Sequence, residues 1–113
     1  LYQYPACSTC RKAAKSLEAQ GRSFTSVHLK QSPPTVATLR DLWQRSGLPL
    51  RKFFNTSGQS YRGGNWKELL KNATEDEALA GLAADGMLIK RPILDTGTTV
   101  LVGFREDAYG ALS

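Results

Sequence analysis

Metal ligands and long apolar runs are scarce in this chain. Its 113 residues include one histidine and two cysteines. Tetrahedral zinc takes four ligands, and only His28 is left to join Cys7 and Cys10, so no metal is expected. No apolar run approaches the ~20 residues that a membrane-spanning helix requires. No basic-then-apolar leader opens the chain either, which gives the expectation of a cytoplasmic protein with no membrane partner. It begins at Leu1 rather than Met, so a few leading residues are expected to have been trimmed. The Asn55–Asn65 loop lacks the Gly-Lys-Ser/Thr ending of a phosphate loop, which argues against nucleotide binding. Basic residues are scattered, with short pairs such as Arg11-Lys12 and Arg51-Lys52 and no longer block. The net charge of +5 therefore reads as a solvated, slightly basic surface, with no direct nucleic-acid contact expected. There is no internal repeat, low-complexity tract or interdomain linker.

What is present fits one domain over residues 1–113, with 41% apolar and 22% charged residues. Leu1 to Tyr4 reads as a strand. Ala13, Ala14 and Leu17 recur at helical spacing over about Thr9 to Gln20, and Gly21 stops that helix. Ser23 to Leu29, with Phe24, Val27 and Leu29, reads as a second strand, parallel to the first through a right-handed crossover. A helical block follows over about residues 34–85. Val36, Leu39, Leu42 and Trp43 form one helix, closed by Gly47, and Pro49 to Phe54 a shorter one. Asn55 to Asn65 is a structured loop. Trp66, Leu69, Leu70 and Ala73 mark a further helix. Thr74 and Glu77 make a capping box that opens the last helix of the block, lined by Ala78, Leu79, Leu82 and Ala83. The period then changes. Ile89 to Asp95 and Thr98 to Phe104 form a hairpin around Thr96-Gly97. A final helix over about Glu106 to Leu112 packs Tyr109 and Leu112 on the sheet.

This order is α/β: strand–helix–strand, a helical insert, then hairpin and helix. It is the order of a thioredoxin-like domain with an insert between its halves. In that fold a Cys-x-x-Cys at the end of the first strand carries the redox pair, and Cys7-Ser8-Thr9-Cys10 stands there. Cys7 falls in the loop that caps the helix and Cys10 in its first turn. Unpaired N–H groups at a helix start favour a thiolate over a thiol. Cys7 is thus the attacking sulfur and the deeper Cys10 the resolving one, closing a Cys7–Cys10 disulfide. Two inert structural thiols, or half of a metal site, are the competing readings. Arg91-Pro92 is the second feature. A proline inside a strand pattern belongs at an edge, a bulge or a functional turn. A cis Arg91–Pro92 bond opposite the cysteine loop would offer the Arg91 backbone to a substrate and turn its guanidinium towards Cys7. An edge proline beside a surface arginine is the alternative.

Tyr4 to Ala13, Phe54-Asn55-Thr56-Ser57-Gly58, Asp85 to Ile93 and Val102-Gly103-Phe104 together resemble the arsenate reductase (ArsC)/Spx family. More narrowly, they are similar to its uncharacterised Spx-like branch. The resemblance implies a thioredoxin-like fold with a helical insert and a cis proline at Pro92. It also implies a nucleophile at Cys7 and an anion loop containing Ser8, Thr9 and Arg11, with Arg91 and Pro92 helping to hold an oxyanion. Arsenate reductases use two further arginines, whose positions fall at Asn55 and about Gly103. Neither residue pairs with an oxyanion as arginine does. Arg51, Arg62 and Arg105 are near in sequence but do not match those positions. Efficient arsenate reduction is therefore not expected.

The expected function is thiol–disulfide oxidoreduction on a small thiol, an oxyanion or a redox protein. No bound cofactor is expected, and glutathione or a thioredoxin- or glutaredoxin-type protein is the implied electron donor. Spx regulators share the Cys-x-x-Cys as a redox switch and bind the RNA polymerase α subunit. That gives the alternative, a redox-sensing transcriptional regulator.

Overall fold

Residues spaced for strands and helices assemble into a mixed four-stranded sheet with helices on both faces. The structure is a computed structural model that describes residues 1–112. The elements are β1 (Tyr2–Gln3), α1 (Ser8–Ala19), β2 (Val27–His28), α2 (Val36–Ser46), α3 (Gln59–Gly63), α4 (Trp66–Leu69), α5 (Glu75–Ala84), β3 (Ile93–Asp95), β4 (Val100–Val102) and α6 (Glu106–Gly110). Single 3₁₀ turns occupy Leu50–Phe53 and Gly86–Leu88. The strand order is β2-β1-β3-β4. β1 and β2 are parallel, whereas β3 runs antiparallel to both β1 and β4. This is the thioredoxin-like arrangement, with α2 to α5 inserted between β2 and β3.

Side chains alternate across a strand, and the two neighbours Ile93 and Leu94 serve opposite faces of the sheet. Ile93 joins the larger core with Leu39 and Leu42 of α2 and Leu79 and Leu82 of α5. Leu94 joins a smaller one with Ala13 and Leu17 of α1 and Tyr109 of α6. Local chemistry sets several helix ends. Gly21 takes a left-handed φ of 71°, and the N–H groups of Gly21 and Arg22 close on the carbonyls of Glu18 and Leu17 at 2.9 and 3.0 Å. Thr74 and Glu77 form the full capping box of α5. Arg45 ties α2 to β3 with a two-pronged bond to Asp95 at 2.8 and 2.9 Å. That bond holds the Asp95 carboxyl down at about 2.

Some elements differ from the sequence expectation. The second strand shrinks to Val27–His28, because Ser23, Thr25 and Ser26 are exposed and β1 offers two ladder partners. The strand expected over Ile89 to Asp95 begins only at Ile93. Pro92 has no N–H for a ladder, and the Lys90 N–H is spent on the Phe53 carbonyl at 2.7 Å. The Arg91–Pro92 bond is cis. Asn55 to Asn65 is not loop throughout, since α3 lies within it. The helix at Trp66 lasts four residues, after which Lys71 and Asn72 bond three residues back, and Leu69 is 49% exposed rather than inward. α6 ends at Gly110, two residues short of the expected Leu112.

Gly86 carries the tightest steric demand. A Cβ there would stand 1.7 Å from the carbonyl oxygen of Leu29, so the α5–β3 connection passes against the β2 exit with no room for a side chain. Gly86→Ala must displace backbone and is expected to cost about 1–3 kcal/mol, as overpacking does in a dense interior. Urea unfolding measures this, and an unchanged midpoint would contradict the packing.

Candidate active site

The end of β1 hands the chain to α1 through Tyr4-Pro5-Ala6-Cys7. The Cys7 N–H donates to the Tyr4 carbonyl at 2.9 Å, closing a tight turn that makes Cys7 the N-cap of α1. Its side chain is partly exposed, and Cys10, in the first turn, is fully buried. Both thiols are free. The Tyr4 N–H points at the Cys10 sulfur at 3.4 Å. One turn of helix thus gives one sulfur access to solvent and withholds it from the other.

The two thiols are displaced in opposite directions. Partial burial pushes Cys7 up. Hydrogen bonds from the Cys10 N–H, the Cys10 thiol, the Arg91 side chain and the Thr9 N–H outweigh that, and its pKa falls below the ordinary cysteine value. Burial pushes Cys10 up to about 11, assisted by its bond to Cys7 and by the nearby Cys7 charge; the Tyr4 N–H and Arg91 oppose this only in part. Arg91 sits where it can reach Cys7 because two other contacts hold it. Its guanidinium stacks over the Tyr4 ring, 5.3 Å from the centroid, and Nη1 donates to the Met87 carbonyl at 3.4 Å.

Cys7 opens into a depression of about 520 Å³. Thr9 and Arg91, both expected at the site, line it. Pro92 is buried behind Arg91, and Ser8 and Arg11 are exposed on α1 and do not line the depression. The cation beside the sulfur is therefore Arg91, whereas Arg11 stands outside. Asn55 and Gly103 also line the wall, and neither brings a charge to it. Ser57, Lys90, Phe104 and Arg105 complete much of the lining and were not anticipated. Lys90 lies within the Asp85 to Ile93 motif next to Arg91, and Arg105 directly follows the Val102-Gly103-Phe104 motif. Depressions of about 600 and 810 Å³ elsewhere contain neither sulfur. Among the described residues, no group of three His, Cys, Asp or Glu side chains is placed to hold a metal ion. No helix among them is long and apolar enough to cross a membrane.

A thiolate favoured by Arg91 should betray itself in its reaction with iodoacetamide. Cys7 is expected to alkylate with a midpoint below the free-cysteine value of about 8.5, with Cys10 protected until near pH 11. Removing the guanidinium withdraws one of the contacts that stabilise the charged form, so Arg91→Ala should raise the Cys7 midpoint. A midpoint that stays put would remove Arg91 from the account.

Known proteins resemble this chain over nearly its whole length. The sequence pattern of the ArsC family matches residues 2–112. The uncharacterised protein YusI of Bacillus subtilis is 52% identical over 108 residues, covering 96% of this chain and 92% of its own. The regulatory protein MgsR of the same organism is 27% identical, covering 99% and 87%. A crystal structure of a possible arsenate reductase from Streptococcus mutans superposes with a TM-score of 0.85 at 45% identity, covering 92% and 88%. The relatives therefore include one named a possible arsenate reductase and one named a regulatory protein. This chain belongs to the ArsC family.

Proposed function

We propose that this protein is a thiol–disulfide oxidoreductase in which Cys7 attacks and Cys10 resolves. The observation that carries the reading is the opposed displacement of two neighbouring thiols, one accessible and lowered, the other buried and raised to about 11. An attacking thiol must be ionised near neutral pH, while a resolving thiol must wait. The Cys7 thiolate attacks one sulfur of a substrate disulfide, forming a mixed disulfide and releasing the other half as a thiolate with its electron pair. Cys7 has then lost its charge. Two of the influences that raise Cys10, its bond to Cys7 and the charge there, vanish with it. Cys10 now gives up its proton more readily, while the Tyr4 N–H and Arg91 favour its anion. It attacks the Cys7 sulfur, expels the second half of the substrate as a thiolate, and leaves the Cys7–Cys10 disulfide. Two electrons have passed from the pair to the substrate. An external thiol restores the reduced pair, with glutathione or a thioredoxin- or glutaredoxin-type dithiol as the fitting class of donor. The reducing cytoplasm, where such donors are kept, is the fitting compartment.

Thr9 and Arg91 are the wall residues suited to an anionic part of the substrate, with Pro92 shaping the backbone behind them. Arsenate is a poor match in this reading, because Asn55 and Gly103 leave the wall without the further guanidinium forks that a tetrahedral oxyanion needs. A second reading rests on the full-length likeness to MgsR and the resemblance to Spx: the same pair switches a regulator that binds the RNA polymerase α subunit. Binding to isolated α subunit in both redox states tests it, and absence of a complex in either state removes it.

For the enzyme reading, Cys7→Ser should reduce disulfide turnover to the rate without protein. Cys10→Ser should stop at the mixed disulfide, visible as an adduct by mass spectrometry. Full activity in Cys7→Ser would sink the mechanism.

A further inference from the structure

We infer that Lys90 selects the substrate, favouring a disulfide that carries a carboxylate close to its sulfur–sulfur bond. This rests on the oxidoreductase reading above and assigns the substrate class of the same site.

Three cations face the depression beside Cys7, namely Lys90, Arg91 and Arg105, and no carboxylate lines it among the described residues. They are not equally available. Arg91 is engaged by the Tyr4 ring and the Met87 carbonyl, and leans on Cys7. Arg105 pairs with Asp107 at 3.0 Å on an exposed surface, where solvent screens both charges. Lys90 has no acidic partner within salt-bridge distance among the described residues, so its ammonium is left for a ligand.

Its position is set by the backbone. The Lys90 N–H donates to the Phe53 carbonyl at 2.7 Å, and the following arginine lines the same depression as Cys7. The stem crosses Gly103, where an added Cβ would stand 3.6 Å from Lys90 Cε. Gly103 holds a left-handed φ of 78° and donates its N–H to the Pro92 carbonyl at 2.8 Å. Having no side chain, it leaves that part of the wall to the lysine. Asn55 adds an amide to the same wall.

The chemistry of this wall suits a carboxylate better than a tetrahedral oxyanion. A phosphate-like group is best held by planar forks that offer several donors in fixed directions. A lysine ammonium is a compact charge on a flexible stem, which follows an anion whose position varies with the arm that carries it. A volume of about 520 Å³ admits a peptide-sized arm next to the sulfur. Placed beside the nucleophile, the charge also raises the encounter rate of anionic substrates. The acidic group can belong to a small acidic thiol or to an acidic residue beside a protein cysteine; the recognising chemistry is the same.

Pre-reduced protein allows a single-turnover test with no added reductant, since the Cys7–Cys10 dithiol supplies both electrons. Its rate constants are measured with the dianionic 5,5′-dithiobis(2-nitrobenzoate), the neutral 2,2′-dithiodipyridine and the cationic cystamine. Lys90→Glu should lower the anionic-to-neutral rate ratio about tenfold and raise the cationic-to-neutral ratio. Lys90→Arg should retain the wild-type ordering. Raising ionic strength should shrink the wild-type preference, as expected of a charge near solvent. Oxidised glutathione and disulfides of a Glu-Cys-Glu peptide, each set against a Lys-Cys-Lys peptide disulfide, then separate the two sources. Either acidic probe outpacing the lysine peptide supports the inference, and neither doing so overturns it. If Lys90→Glu slows all three small disulfides alike, its effect is on the Cys7 nucleophile and the inference is wrong. Unchanged ratios overturn it too. A wild type that reduces none of the three overturns the oxidoreductase reading, and the selection falls with it.

Discussion

Everything at the candidate site depends on how the backbone from Leu88 to Pro92 is clamped. The Asn55 N–H donates to the Leu88 carbonyl at 2.8 Å and the Lys90 N–H to the Phe53 carbonyl at 2.7 Å, with Phe54 and Ile89 bridging between them. On the far side the Gly103 N–H reaches the Pro92 carbonyl at 2.8 Å. Phe53, Phe54 and Ile89 are buried, so these bonds are shielded from competing water. Three stretches distant in sequence are thereby locked into one wall. The side chains of Asn55, Lys90, Arg91 and Gly103's neighbours have no choice about sharing a depression with Cys7. Gly86, pressed against the Leu29 carbonyl, fixes where this clamp meets the sheet.

Tyr4 couples that wall to the helix start. Its carbonyl receives the Cys7 N–H, its own N–H points at the Cys10 sulfur, and its ring lies beneath the Arg91 guanidinium. An edge contact to the His28 ring, at 5.5 Å between centroids, braces the tyrosine from β2. One residue therefore contacts the Cys7 backbone, the Cys10 sulfur and the Arg91 guanidinium. The asymmetry between Cys7 and Cys10 follows from this placement more than from the motif itself. Two cysteines three apart could equally both be exposed or both be buried. Here the turn at Tyr4 holds Cys7 at the rim while the helix carries Cys10 under it.

What could be read from residue order was what local chemistry decides. The helix start at Cys7, the stop at Gly21 and the capping box at Thr74 need only neighbours within one turn. So does the α/β order, and with it the thioredoxin-like frame. The misreadings lie where distant segments intervene. Ile89 to Pro92 has a strand's composition, yet the Ile89 and Lys90 donors go to the Gly86 and Phe53 carbonyls and its proline cannot join a ladder. Leu69 keeps helical spacing, but the chain tightens after α4 and leaves it outside. The wall residues Asn55, Ser57, Lys90 and Arg105 carry no spacing signal, because the clamp that gathers them spans some fifty positions. Arg11, adjacent to Cys10 in sequence, stays outside the depression, whereas Arg91, eighty-four positions from Cys7, stands beside it.

The ArsC frame and the chemistry of the wall are consequently separable. Family membership rests on elements that position Cys7, Arg91 and the cis proline corner. What surrounds them is set by local backbone as well as by side chains, so side-chain exchange alone would not remake it. Gly103 holds φ at 78°, a region that non-glycine residues occupy only at a cost. An arginine introduced there would have to carry that backbone or break the bond to Pro92 that helps set the corner. It would also meet the Lys90 stem already lying across the site. The missing guanidinium is thus bound up with a local backbone conformation and with the lysine that crosses it. The wall is thus shaped by backbone as much as by side chains, and Cys7 and Cys10 keep their placement beneath it.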